Sequence, residues 1–129
     1  MEKIMRWIEA GLLTVAAIFA PIYSLLLTTG VMIFADLATG VWAAYKRGEP
    51  ITSAALRRTV SKLFVYEAAL MFAFLAEHYM SDILPFVKMA SAMISVVELK
   101  SIYENLNSIS GTQLLKVLVD KLGSDNREK

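Results

Sequence analysis

Residues 10–35 carry no charge: Glu9 stands before the run, Asp36 after it, and 26 residues lie between them. A membrane-spanning helix needs roughly 20 predominantly apolar residues, and a soluble helix rarely offers so long an uncharged stretch. The run predicts at least one span. Two further apolar stretches, residues 63–76 and 83–97, each hold a single charge, Glu67 and Lys88. Extended into their flanks, to about 59–80 and 83–103, both reach spanning length at about 1.5 Å per residue.

A soluble helical bundle is the competing reading, because 19% of the residues are charged and the mean hydropathy is only +0.54. The placement of the charges favours the bilayer. Most sit between apolar stretches or near the chain ends, whereas a soluble amphipathic helix repeats them every third or fourth position along one face. Lys3 and Arg6 precede an apolar run as in a signal peptide, but no small-residue cleavage site is followed by a polar mature domain, so the segment is expected to be retained. The chain has no cysteine, which rules out disulfides and thiolate metal sites. Its net charge of +1 gives no sign of nucleic-acid binding, since the basic residues flank apolar stretches.

One straight helix over residues 4–45 would measure about 63 Å, twice the hydrocarbon thickness. A break is expected at Ala20-Pro21, giving helices over 4–20 and 22–46, the first of which spans, lies in the interface or re-enters. Gly48 reads as a helix stop, and Thr52 or Ser53 as the next N-cap. Residues 46–62 hold five Lys or Arg and one Glu, which places this connection in the cytoplasm by the positive-inside rule. The connection at 77–82 has neither Lys nor Arg and is expected outside, with Pro85 marking the next helix start. The fold class predicted is therefore all-α: a polytopic membrane protein with three or four transmembrane helices in residues 1–108. Residues 109–129 would form a cytoplasmic amphipathic helix, with Leu114, Leu115, Leu118, Val119 and Leu122 at helical spacing, and a charged tail.

Ionisable groups inside spans cost roughly 2.5–3.5 kcal/mol at the bilayer centre, so each implies a partner or water. Asp36, Glu67, Lys88 and Glu98 are such groups. Asp36 shares a helix face with Gly40, Ala43, Ala44 and Arg47, and Gly40 with Ala44 forms a small-xxx-small pair suited to close helix contact, either inward or against another copy. Lys62, Tyr66, Ala69, Ala73 and Glu77 form a second line, with Glu67 off it. Lys88, Ser91, Ser95, Glu98 and Asn105 form a polar stripe that either holds helices together or lines water. Catalysis finds no support: His78 is the sole histidine and Glu77 beside it reads as a solvated boundary. No cofactor or metal is expected, and the methionines read as core.

Asp36-Leu37-Ala38-Thr39-Gly40-Val41-Trp42-Ala43-Ala44 closes a span and is followed by Gly48-Glu49-Pro50-Ile51-Thr52-Ser53 and Lys62. Then come Glu98-Leu99-Lys100-Ser101-Ile102-Tyr103-Glu104-Asn105, Gly111 and a leucine-rich helix. In this order and at this spacing, over about residues 31–122, the chain resembles the phage holins that include the clostridial toxin-release holin. It departs from that group after Gly111, where Thr112-Gln113 replaces a proline-containing turn. The resemblance implies no enzyme, but a multi-pass protein of the bacterial inner membrane that forms homo-oligomeric lesions or pores and so releases an endolysin or a large toxin during lysis. It carries over Asp36, Gly40, Lys62, Glu98, Glu104 and Asn105 as assembly or pore residues. Two other classes stay open. One is a small ion channel or transporter titrating Asp36, Glu67 or Glu98; the other is a membrane scaffold recruiting a soluble partner through residues 111–129.

Overall fold

The computed structural model describes residues 1–80, 83–113, 116–117 and 119–121, and all regular structure among them is helical. Four long helices follow one another: α1 (Glu2–Phe19), α2 (Tyr23–Arg47), α3 (Ser53–Tyr79) and α4 (Phe86–Ser110). A single 3-10 turn, Ala20–Ile22, joins α1 to α2 at the expected proline, Pro21. The ring of Pro21 removes one backbone donor, and the tighter turn absorbs the loss without ending the helical path. Of the C-terminal segment expected to be amphipathic, Leu114, Leu115, Leu118 and residues 122–129 lie outside the described residues, as do Ser81 and Asp82 of the 77–82 connection.

The helix ends follow local chemistry. Gly48 adopts φ 70° after α2, with its N–H donating to Tyr45 O at 3.1 Å and the Glu49 N–H donating to Ala44 O at 3.0 Å. This pair of bonds is the Schellman arrangement that a left-handed glycine permits. Gly111 closes α4 at φ 68° with one bond from its N–H to Asn107 O. Thr52 holds the N-cap position of α3 in extended conformation. The first turn of α4 takes its cap from another helix: the Glu77 carboxylate of α3 accepts the Val87 N–H at 2.8 Å.

Helices α2, α3 and α4 pack together, with α2 and α4 in the most extensive contact. Ile22 at the joint, Ile33 and Ala43 of α2, Leu70 and Phe74 of α3, and Ile94 of α4 form the buried apolar core. Of the α3 line read in the sequence, Lys62, Tyr66, Ala73 and Glu77 are half-buried and Ala69 is exposed, while the larger Leu70 and Phe74, outside that line, are buried. No residue of α1 is buried. Its last residue, Phe19, is half-buried and its ring lies 6.0 Å from that of Phe74.

Outside this narrow core the surface is apolar. Phe34, Trp42, Phe64, Phe72, Met93 and Val96 are all exposed, far more apolar surface than a soluble monomer of this size presents to water. Two helical stretches are long and apolar enough to cross a bilayer, Glu2–Arg47 and Ser53–Tyr79. α4 is also long enough at 25 residues, but Lys88, Glu98, Lys100 and Glu104 lower its hydropathy, so it is not among the candidate spans.

Leu70 is fully buried and Phe72, two positions on, is 71% exposed. Leu70→Ala should therefore cost about 2–4 kcal/mol of stability in detergent unfolding, the usual range for an unfilled core site. Phe72→Ala should change it by less than about 1 kcal/mol. Equal losses would refute this assignment of inner and outer faces.

Candidate functional site

Inside the three-helix bundle, one residue from each helix meets at a single ammonium group. Lys62 of α3 donates from Nζ to Asp36 Oδ2 of α2 at 2.8 Å and to Glu98 Oε2 of α4 at 3.2 Å. The Glu98 side chain is fully buried, that of Asp36 is 15% exposed and that of Lys62 is 31% exposed. The second Glu98 oxygen, Oε1, lies 3.0 Å from the same Nζ but outside hydrogen-bonding direction. Its interaction with Lys62 is therefore Coulombic. Two carboxylates share one ammonium, and Asp36 draws on an additional donor.

Asn105, two turns beyond Glu98 on α4, serves Asp36. Its Nδ2 donates to Asp36 Oδ1 at 3.1 Å, to the Asp36 carbonyl at 3.3 Å and to Thr39 Oγ1 at 3.2 Å. The Thr39 hydroxyl donates to Ala35 O at 2.8 Å, which leaves its lone pairs free for Asn105. Gly40 makes room for this amide: a Cβ placed there would stand 3.4 Å from Asn105 Nδ2. The Gly40 and Ala44 face, open in the sequence to an inward or an intermolecular contact, thus packs inward in this chain.

A cleft of about 410 Å³ leads from the 46–62 connection down to this cluster, lined by Arg47, Thr52, Arg58 and Thr59 before it reaches Asp36, Lys62 and Asn105. Its mouth is tied together by ions. Arg47 forms a two-pronged contact with Glu49, both distances 2.8 Å, and donates to Ser108 Oγ at 2.7 Å. Lys46 donates to the Ile109 carbonyl at 2.9 Å. The Arg47 hydrogen bond holds the exposed Glu49 carboxyl below its ordinary pKa. Stability from that contact is present at neutral pH and fades as pH falls through the lowered value.

The other residues singled out in the sequence lie apart. Glu67 faces Gly30 of α2, with Oε1 4.0 Å from where a Gly30 Cβ would be, and makes no hydrogen bond or ion pair among the described residues. Lys88 is exposed, the Ser91 hydroxyl turns back to its own helix at Lys88 O, and Ser95 is half-buried. Glu104 is exposed and sits 3.8 Å from Lys100 one turn away. The α4 stripe therefore divides into an inner pair, Glu98 and Asn105, and outer members. Sequence reasoning missed Ser108 and the cap formed by Glu77, which is half-buried rather than solvated. Neither carries a local signal, since each partner lies on a different helix.

Removing one partner from a buried ion pair leaves the other uncompensated, at a cost of about 3–5 kcal/mol. Lys62→Met should accordingly destabilise the bundle by about that amount, and Glu98→Gln added to it should recover at least half, as read by unfolding in detergent. A simple sum of the two single losses would show that the pair is not coupled.

No curated protein and no solved structure matches this chain detectably. The family model of the bacteriophage holin family matches it over residues 13–124. The match takes in α2, α3, α4 and the later part of α1, and so reaches further toward the N-terminus than the sequence motifs did. It also carries the whole cluster of Asp36, Lys62, Glu98 and Asn105. The chain belongs to the bacteriophage holin family.

Proposed function

We propose that this protein accumulates in the cytoplasmic membrane of a bacterial host, assembles with copies of itself, and opens lesions through which an endolysin or another large protein leaves. The observation that carries this reading is the holin family match over nearly the whole chain. The long apolar stretches and the exposed apolar surface of the bundle support it. α2, α3 and α4 each cross the bilayer in this reading, with α1 as a fourth span or an interfacial helix. The connection at 46–62, with its excess of Lys and Arg, lies in the cytoplasm.

The ion cluster gives the reading a mechanism. Asp36, Lys62, Glu98 and Asn105, with Gly40 and Ala44 allowing close approach, hold three helices together in lipid, where apolar burial between helices gives little drive. The cleft brings water-accessible polar surface to the edge of that cluster. When copies assemble, the same groups, joined by Ser91, Ser95, Lys88 and Glu104 along α4, line a wetted lesion in which every ion is hydrated instead of paired. Export of a large toxin, as in the clostridial holin, would use the same opening for a different cargo.

Two measurements test this. Expression together with a peptidoglycan hydrolase should collapse membrane potential and release the hydrolase, and Asp36→Asn should alter the timing or extent of lysis while membrane insertion stays normal. Accumulation to high level with potential intact and the hydrolase retained would end the holin reading. For topology, Ser53→Cys should resist an impermeant thiol reagent in intact cells, and labelling there would invert the orientation.

A further inference from the structure

The bundle satisfies its inner charges with one exception. Asp36, Lys62, Glu98 and Glu77 each have an ion pair or hydrogen bond to another helix, or both. Glu67, half-buried, has neither among the described residues. It is 14 residues from Ser53 and 12 from Tyr79 within α3, hence about 21 and 18 Å from the two ends and near the middle of the span. A lone carboxylate in hydrocarbon is so costly that such a group takes up a proton or finds a partner.

Its surroundings are an apolar groove, lined by Leu63, Phe64, Glu67, Ala68 and Met71 of α3. These positions follow helical spacing on a strip centred about 130° round the helix from the inward-facing Tyr66. On the α2 side the groove is bounded by Gly30, whose missing side chain leaves Leu63 and Glu67 at its edge.

We propose that this groove is the contact between two copies of the chain, with the Glu67 carboxyl of each hydrogen-bonded to that of the other. The occupant follows from symmetry. Copies inserted in the same orientation are related by an axis along the membrane normal, so any residue on that axis meets its own equivalent at equal depth. A carboxylic acid offers one donor and one acceptor, and is the one ionisable side chain that satisfies itself completely against an identical group. The proposal rests on the reading of the chain as a self-assembling membrane protein, and it names the surface.

The chain contains no cysteine, so a single introduced thiol reports contact without background. Phe64→Cys places one at the rim of the groove, and Val96→Cys places one on α4, where the side chain is equally exposed. Oxidation in native membranes should give disulfide dimers through position 64 and few through position 96. Glu67→Leu, which inserts readily into lipid, should lower the position 64 yield by about five- to tenfold, the range expected for losing hydrogen bonds between helices. Glu67→Gln, which keeps a donor and an acceptor, should hold it within about twofold. No dimer at position 64, equal yields at positions 64 and 96, or a yield indifferent to Glu67→Leu would each overturn the proposal. If lysis and detergent-resistant oligomers persist in those cases, the holin reading stands and the groove is filled by lipid. If they are absent as well, both readings fall.

Discussion

The Glu98 carboxylate sets the terms for the rest of the bundle. Fully buried, it is tolerable only with Lys62 against it, and Lys62 in turn is positioned by Asp36, which Asn105 holds from α4. The chain of dependence passes through all three packed helices and back to the first. In water, apolar burial would dominate such an assembly. In lipid the helices gain little from hiding apolar surface, and polar contacts decide which faces meet. The apolar core is accordingly narrow, and the residues named in the ion cluster are those that specify the arrangement.

Much of this was legible from the sequence because charges in apolar surroundings are conspicuous. Asp36, Lys62, Glu98 and Asn105 stand out by position alone, as do the stops at Gly48 and Gly111 and the joint at Pro21. What periodicity could not supply was which members of a stripe face inward. Lys88 shares the spacing of Glu98 and Asn105, yet a stripe drawn at three and four residues is wide enough to include the flank of the helix, and Lys88 is exposed. On α3 the line through Lys62, Tyr66, Ala73 and Glu77 is half-buried, but the buried apolar contact comes from Leu70 and Phe74, which that line does not include.

Pairings between helices were beyond the reach of local pattern. The partners of Lys62 lie 26 and 36 residues away, and Glu77 looked like a solvated boundary because its partner, the Val87 N–H, exists only once α4 has formed beside it. The division between paired and unpaired carboxyls is also a property of the fold. Asp36, Glu67 and Glu98 look alike in sequence, and only the packed bundle shows that Glu67 faces away from the cations.

The two ends of α4 carry contacts of opposite sign. A carboxylate, Glu77, meets its first turn, and an ammonium and a guanidinium, from Lys46 and Arg47, meet its last. Both complement the helix macrodipole, which is positive at the start and negative at the end. Apolar contacts between long helices change little when one slides along its axis by a turn, so apolar packing alone leaves the register of α4 against its neighbours poorly determined. Anchors at both termini remove that freedom, because a shift of one turn in either direction would pull at least one end from its counter-charge. The polar residues of α4 are thereby held in register with α2 and α3, and Glu98 stays level with Lys62 rather than a turn above or below it.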